Sequence, residues 1–164
     1  MMSRTEIDND EQIVRILHRD WIVDGVLQIN AFALRDKETY ISVNRPAIET
    51  FSDDVRDFIK NHSAFKTADD SNEYQRANFN VGEVRNIRIS LKGEVASLSV
   101  DVESRDSHYK SHAGVFTRIE GRNIKGGQQD SFIPKEGNAI SYDAIHMKVQ
   151  YALLGLSTVE QCQT

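Results

Sequence analysis

Cysteine, proline and tryptophan are scarce in this sequence. The single cysteine, Cys162, lies near the C-terminal end, so no internal disulfide can form and no cysteine cluster can bind zinc or iron–sulfur. Two prolines and nine glycines among 164 residues exclude a collagen-like or linker-rich chain. With 39% hydrophobic and 27% charged residues, the composition is typical of one globular domain.

Long apolar runs and an excess of positive charge are also absent. No stretch approaches the roughly 20 apolar residues that a membrane span requires, and residues 1–12 are polar rather than signal-like. We therefore expect a cytoplasmic protein without a membrane segment. The 25 acidic residues outnumber the 20 basic ones, for a formal net charge of -5, which argues against nucleic acid as a partner.

Three segments have the pattern of β-strands. Residues 39–45 (TYISVNR) are rich in β-branched and aromatic side chains. Apolar and polar residues alternate on both sides of Lys92-Gly93-Glu94, which predicts a hairpin over residues 87–102. Residues 112–120 (HAGVFTRIE) form a further predicted strand, so we expect an antiparallel meander of at least three strands.

Helical periodicity predicts one helix directly after Pro46. Its apolar face over residues 47–62 consists of Ile48, Phe51, Val55, Phe58 and Ile59. If this face is core, Phe58→Ala is expected to cost about 3 to 5 kcal/mol.

Two more helices are predicted at the two ends of the chain. Ser141 is a suitable N-cap for a helix that runs to about Leu154, with Gly155 as a stop signal. Its apolar face is broad, so we expect it to pack on the sheet or across a subunit interface. Near the N-terminus, Ile13, Ile16 and Leu17 share a helical face, which predicts a third helix.

The predicted architecture is α+β, with an antiparallel sheet of three to five strands packed by two or three helices. Asp24-Gly25 is a turn signal, and the polar segments 63–78 and 121–137 are predicted to be loops. The domain is expected to span residues 11–157, between flexible termini at 1–10 and 158–164.

Two histidines have a spacing that is compatible with a metal site. His108 and His112 would share one face of a helix, where two imidazoles can bind zinc. The surrounding sequence is instead typical of a loop that enters a strand, and no third ligand is clearly marked. We therefore expect no metal and no cofactor.

Other catalytic and nucleic-acid signals are weak. No G-x-S-x-G turn marks a nucleophilic serine. Basic side chains that converged could bind phosphates, although scattered ones are what the solvent face of a sheet requires. The basic residues concerned are Arg85, Arg88, Lys92, Lys110, Arg118, Arg122 and Lys125.

The segment 15–45, RILHRDWIVDGVLQINAFALRDKETYISVNR, resembles a group of small uncharacterised bacterial proteins. The matching features are a basic-His step, an Asp-Gly turn, an Ala-Phe pair, a Leu/Ile-Ser-Val strand ending in a basic residue, and a later His-Ala step. In this chain they are His18, Asp24-Gly25, Ala31-Phe32, Ile41-Ser42-Val43 with Arg45, and His112-Ala113. The resemblance implies a recurrent bacterial domain and no particular reaction.

Two functional hypotheses remain open from the sequence. The first is a non-enzymatic accessory module that binds a protein partner, with homo-oligomers formed through the C-terminal helix or the sheet. The second is a small enzyme or ligand-binding domain in which His18, Ser42, Arg45 and His112 converge. Arg45 would then bind a phosphate or carboxylate, and a histidine would act as acid or base.

Overall fold

The computed structural model describes residues 6–89, 98–134 and 137–164. Three α-helices and eleven short or medium strands form within these ranges. The helices are α1 (Phe51–Asn61), α2 (Val81–Arg85) and α3 (Tyr142–Leu156), with 3-10 turns at Arg19–Trp21, Ile29–Phe32 and Ser63–Phe65. The strands are β1 (Gln12–Leu17), β2 (Ile22–Val23), β3 (Val26–Leu27), β4 (Ile41–Asn44), β5 (Glu73–Asn80), β6 (Leu98–Ser104), β7 (His112–Ile119), β8 (Arg122–Asn123), β9 (Ser131–Phe132), β10 (Ile140–Ser141) and β11 (Thr158–Gln163).

The main sheet is antiparallel and has the strand order β11-β5-β1-β4-β7-β6, with β8 added beside β7. Two small hairpins, β2–β3 and β9–β10, lie apart from it. The mixed α and β architecture with an antiparallel sheet is therefore confirmed. The sheet is larger than the three to five strands that the sequence predicts, because four of its strands, β1, β5, β8 and β11, arise from segments without a clear strand signal.

The first of these is β1, for which the sequence predicts a helix. Ile13 and Leu17 face the α3 side of the sheet, whereas Ile16 packs with Val55 of α1 on the opposite side. A strand covered on both faces shows an almost continuous apolar run rather than alternation. Such a run also contains residues spaced three and four apart, which explains the wrong helical prediction.

Two further unexpected strands are β5 and β11, and the fourth, β8, lies in the predicted loop 121–137. β5 lies within the predicted loop 63–78 and continues to Asn80, and its inward positions include the small residue Ala77 beside Tyr74 and Phe79. β11 lies in the predicted flexible C-terminus and pairs along its whole length with β5. Both strands are rich in polar residues, and their extended conformation depends on pairing with neighbours.

Several predicted elements are present. β4 and β7 form at the expected positions, and Asp24 and Gly25, at φ 52° and 79°, make the two-residue turn of the β2–β3 hairpin. β6 is the second half of the predicted 87–102 hairpin. Residues 87–89 are not a strand, and 90–97 lie outside the described residues.

Helices cover both faces of the sheet. α3 begins after Ser141, whose Oγ accepts a hydrogen bond from the Ala144 amide, as the sequence predicts, and it ends one residue beyond Gly155. α1 packs on the other face, over β1 and β5, through Val55 and Ile59. It begins at Phe51, five residues later than Pro46. No helix in the described ranges is long and apolar enough to cross a membrane.

The predicted loop 121–137 contains β8 and β9 as well as two buried apolar residues. Ile124 and Phe132 pack with Ile119 and with Ile145 of α3 in a small second core. The described part of this segment, residues 121–134, therefore contains two short strands and two core residues rather than a loop alone.

Candidate functional site

The sheet divides in its middle, between β1 and β4. The only registered pair that joins these strands in the described ranges is Val14 with Asn44. Beyond this pair, β1 continues to pair with β5, and β4 with β7. Arg15 lies in the resulting gap, where its Nη1 donates to the carbonyl oxygen of Ser42 at 2.7 Å and its Nε to that of Ala31 at 2.6 Å.

A cleft of about 350 Å³ opens over this gap. That volume falls within the range of pockets that hold small molecules. One part of the cleft is apolar, formed by Ile16, Trp21, Phe58 and Phe65. The polar lining residues are Arg15, Arg35, Glu38, Ser42, Asn44, Ser107, His108, Tyr109 and His112.

The guanidinium of Arg15 is held rigidly and remains charged. Besides its two hydrogen bonds to carbonyl oxygens, it lies 4.8 Å from the centre of the Trp21 ring, a cation–π distance. Burial lowers the pKa of Arg15 to about 10, although the nearby Glu38 carboxylate opposes this change. At neutral pH the cleft therefore contains a fixed positive charge beside an aromatic wall.

Ser42 and His112 form a polar pair in the same cleft. Ser42 Oγ and His112 Nε2 lie 3.2 Å apart. Ser42 is exposed to the cleft, whereas His112 is half-buried beside the Tyr40 ring. Burial lowers the pKa of His112 from its ordinary value, and the charge of Arg105 lowers it further. The imidazole is therefore neutral at pH 7 and can accept a proton.

The segment 105–111 forms one wall of the cleft and is attached to α1. Tyr109 Oη donates to Asp57 at 2.7 Å, and this hydrogen bond raises the pKa of Tyr109 to about 12. The carboxylate of Asp54 accepts from both the amide and the hydroxyl of Ser111, at 3.0 and 2.7 Å. These contacts fix the distance between α1 and the start of β7.

The other two site residues predicted from the sequence lie outside the cleft lining. The His18 ring packs edge-on against Phe65, at 5.2 Å between ring centres, and also contacts Trp21, so it supports the aromatic wall from behind. Arg45 is buried and binds Glu11 through two nitrogens, at 2.8 and 2.9 Å. The structure thus brings Ser42 and His112 together and places Arg45 in a buried ion pair.

Alternation along β4 explains the position of Arg45. Ile41 and Val43 belong to the core on the α3 side, whereas Ser42 and Asn44 line the cleft. Because successive side chains of a strand point to opposite faces, Arg45 lies on the face of Val43 rather than that of Ser42. The three-residue spacing between Ser42 and Arg45 already contained this information.

The remaining candidates are the pair of histidines and the basic residues, of which Lys92 lies outside the described residues. Among the described residues, no group of three His, Cys, Asp or Glu side chains is arranged to hold a metal ion. Arg85 binds Asp101 at 2.7 Å, and Arg118 binds Glu103 at 2.6 Å. These acidic partners neutralise the two arginines, which weakens the case for phosphate binding on that face.

Comparison with protein-family models, with curated proteins and with solved structures finds no match to this chain. The function is therefore inferred from the cleft.

Proposed function

We propose that the protein is a ligand-binding domain and that its cleft binds a small amphipathic anion. The ligand would have an aromatic or aliphatic body and one carboxylate, phosphate or sulfonate group. The observation that carries this proposal is the fixed charge of Arg15 beside the apolar wall of Trp21, Phe58 and Phe65.

The charge of the cleft supports an anionic ligand. Its arginines and glutamate are Arg15, Arg35 and Glu38, which leaves one net positive charge from these groups. The chain as a whole has a formal charge of -5. A positive cleft in an acidic protein attracts anions to one place.

The apolar wall supplies the binding energy that the charge does not. Contacts with three aromatic rings bury apolar surface of the ligand, at roughly 25 cal/mol per Å². A charged group alone would remain well solvated outside the cleft, so the proposal requires both parts in one molecule.

Two matched fluorescent probes test this requirement. The probe 8-anilinonaphthalene-1-sulfonate has an aromatic body with a sulfonate, whereas N-phenyl-1-naphthylamine is its uncharged counterpart. Trp21, the single tryptophan, lies in the cleft and reports binding by quenching or energy transfer. We expect one sulfonate probe per chain, bound at least about tenfold more tightly than the neutral probe, a difference of about 1.4 kcal/mol.

Variants connect binding to the cleft. Arg35 is exposed at the rim, and Arg35→Gln, which leaves the charges of Arg15 and Glu38 balanced, should reduce the preference for the sulfonate probe. Phe58→Ala should weaken both probes. Arg122, which is exposed outside the cleft lining, provides the control, and Arg122→Gln should change neither affinity. Equal affinities of the two probes for the wild-type protein would refute an anion site.

A second candidate function is the protein-interaction module. Met147 and Tyr151 lie one turn apart on α3 and are 49% and 61% exposed, and Val159 of the edge strand β11 is 47% exposed. Met147 and Tyr151 are neighbours on the helix surface, and contiguous apolar patches, rather than single exposed residues, mark contact surfaces. Sedimentation velocity over a range of concentrations tests self-association. A dimer that Tyr151→Gln dissociates would support this function, and a monomer at all concentrations would argue against a homo-oligomer.

A further inference from the structure

We propose that Ser42 and His112 are a nucleophile and its general base, and that the cleft hydrolyses esters with an apolar acyl group. This inference rests on the proposed ligand site, because the acyl group would occupy the same aromatic wall. It assigns a reaction to a pair of residues that ligand binding alone does not require.

Ser42 and His112 lie at the distance that a nucleophile and its general base require. A serine hydroxyl becomes nucleophilic when a neighbouring base accepts its proton, at a heavy-atom distance of about 2.6 to 3.2 Å. Ser42 Oγ and His112 Nε2 are 3.2 Å apart, at the long end of this range. Ser42 faces the open cleft, so a substrate carbonyl can reach its oxygen.

His112 also has the protonation state that a general base requires. A base must be neutral before it accepts a proton, and burial together with Arg105 lowers the pKa of His112. Both residues lie on neighbouring paired strands, with His112 opposite Asn44 and Gly114 opposite Ser42. Strand pairing therefore holds the two side chains on one face.

Arg15 contributes a fixed positive charge to this part of the cleft. Its Nη1 donates to the main-chain oxygen of Ser42, so its positive charge lies beside the serine. A fixed cation near an attacked carbonyl stabilises the negative charge that develops on the carbonyl oxygen. Arg35, at the rim, is then the group that meets a permanent anion on the substrate.

The reaction balances with water as the only co-reactant. Ser42 Oγ bonds to the acyl carbon while His112 Nε2 takes the hydroxyl proton. The ester C–O bond then breaks, and the alcohol leaves with that proton. A water molecule next attacks the acyl-serine and transfers its proton to His112, and the acid departs as Ser42 recovers its hydrogen.

A fluorophosphonate with an alkyl chain tests the nucleophile directly. Ser42 Oγ displaces fluoride at phosphorus while His112 takes the hydroxyl proton. The resulting phosphonyl-serine hydrolyses slowly, so the adduct is visible by mass spectrometry. We expect one adduct per chain, mapped to Ser42 by peptide analysis. Ser42→Ala should abolish it, and His112→Gln should slow it by on the order of 100-fold or more.

Controls separate a reactive serine from a general effect of mutation. Ser99 is an exposed serine on β6, and Ser99→Ala should label like the wild type. Unchanged melting curves for Ser42→Ala and His112→Gln would confirm that both variants are folded. If His112→Gln unfolds, the rate of labelling of the wild type against pH provides a second measurement, which should decline as His112 is protonated. Arg105 acts electrostatically on the His112 ring, and the Tyr40 ring lies 5.8 Å from it. The other charged or titratable groups that line the same cleft are Arg15, Arg35, Glu38, His108 and Tyr109.

The outcomes distinguish this inference from the proposed function. Labelling of another residue, or none, while the sulfonate probe still binds, would overturn the catalytic pair and leave the ligand site intact. Labelling of Ser42 that His112→Gln does not slow would overturn the role of His112. If the wild-type protein neither reacts with the fluorophosphonate nor binds the sulfonate probe, both proposals are refuted.

Discussion

The positions of Ile59 and Phe58 on α1 lead to a quantitative prediction about stability. Ile59 is 1% exposed and packs with Ile16, Val55 and Tyr74. Phe58 is half-buried and lines the cleft. The smaller of the two side chains is therefore the core residue, which corrects the expectation that Phe58 occupies the core.

Ile59→Ala should lower the stability more than Phe58→Ala does, although phenylalanine is the larger side chain. Substitutions such as Ile→Ala in a core cost about 2 to 5 kcal/mol, so Ile59→Ala is expected to cost about 3 kcal/mol. A fully buried Phe→Ala costs about 3 to 5 kcal/mol, and half of that burial gives about 2 kcal/mol for Phe58→Ala. For a domain of this size, these values correspond to melting temperatures lowered by roughly 6 to 12 °C and 4 to 8 °C.

Urea unfolding followed by circular dichroism measures both free energies. The same variants should differ in binding: Phe58→Ala should weaken the sulfonate probe, whereas Ile59→Ala should leave its affinity unchanged. A larger loss of stability for Phe58→Ala than for Ile59→Ala would show that this account of the two faces of α1 is wrong.

Three other structural features give further predictions. His146 is buried, with Nε2 donating to the Phe32 oxygen, and burial lowers its pKa. As pH falls below about 6.5, this histidine is protonated in the unfolded state before it is protonated in the folded state, so the free energy of unfolding in urea should decrease. His146→Gln should reduce this loss of stability. A Cβ on Gly126 would clash with the main-chain oxygen of Arg35, while one on Gly155 meets nothing within 4 Å. Calorimetry should therefore show Gly126→Ala strongly destabilised and Gly155→Ala stabilised by about 0.5 to 1 kcal/mol. Arg45→Met should cost about 3 kcal/mol in urea unfolding, because it leaves the Glu11 carboxylate, whose side chain is only 14% exposed, without this partner. A stable variant with impaired probe binding would instead return Arg45 to the ligand site.

The fold could be predicted where local chemistry and tertiary structure agree. β4, β7 and α3 combine clear periodicity with recognisable ends, such as the Ser141 cap. β1 and β5 could not be predicted because pairing on both sides determines their conformation. In β1 the apolar residues face two cores, and in β5 small and polar residues interrupt the pattern.

The candidate site was predictable to a similar extent. The sequence includes Ser42 and His112 among its candidate residues, but their direct contact depends on the register of β4 and β7. Arg15 was missed because it lies in a segment with a predicted helix. Its role arises from the gap between two strands, which no local pattern in the sequence records.

The single registered pair between β1 and β4 also has a mechanical consequence. Strands β11, β5 and β1 form one continuous ladder, and β4, β7 and β6 form another. The two ladders are joined by backbone pairing at one register position in the described ranges, a seam that lies next to the Arg45 and Glu11 pair. A molecule bound in the cleft contacts both ladders, so its binding opposes their separation. Amide hydrogens along this seam should therefore exchange more slowly when the cleft is filled, while those at the outer edges of the sheet keep their rates.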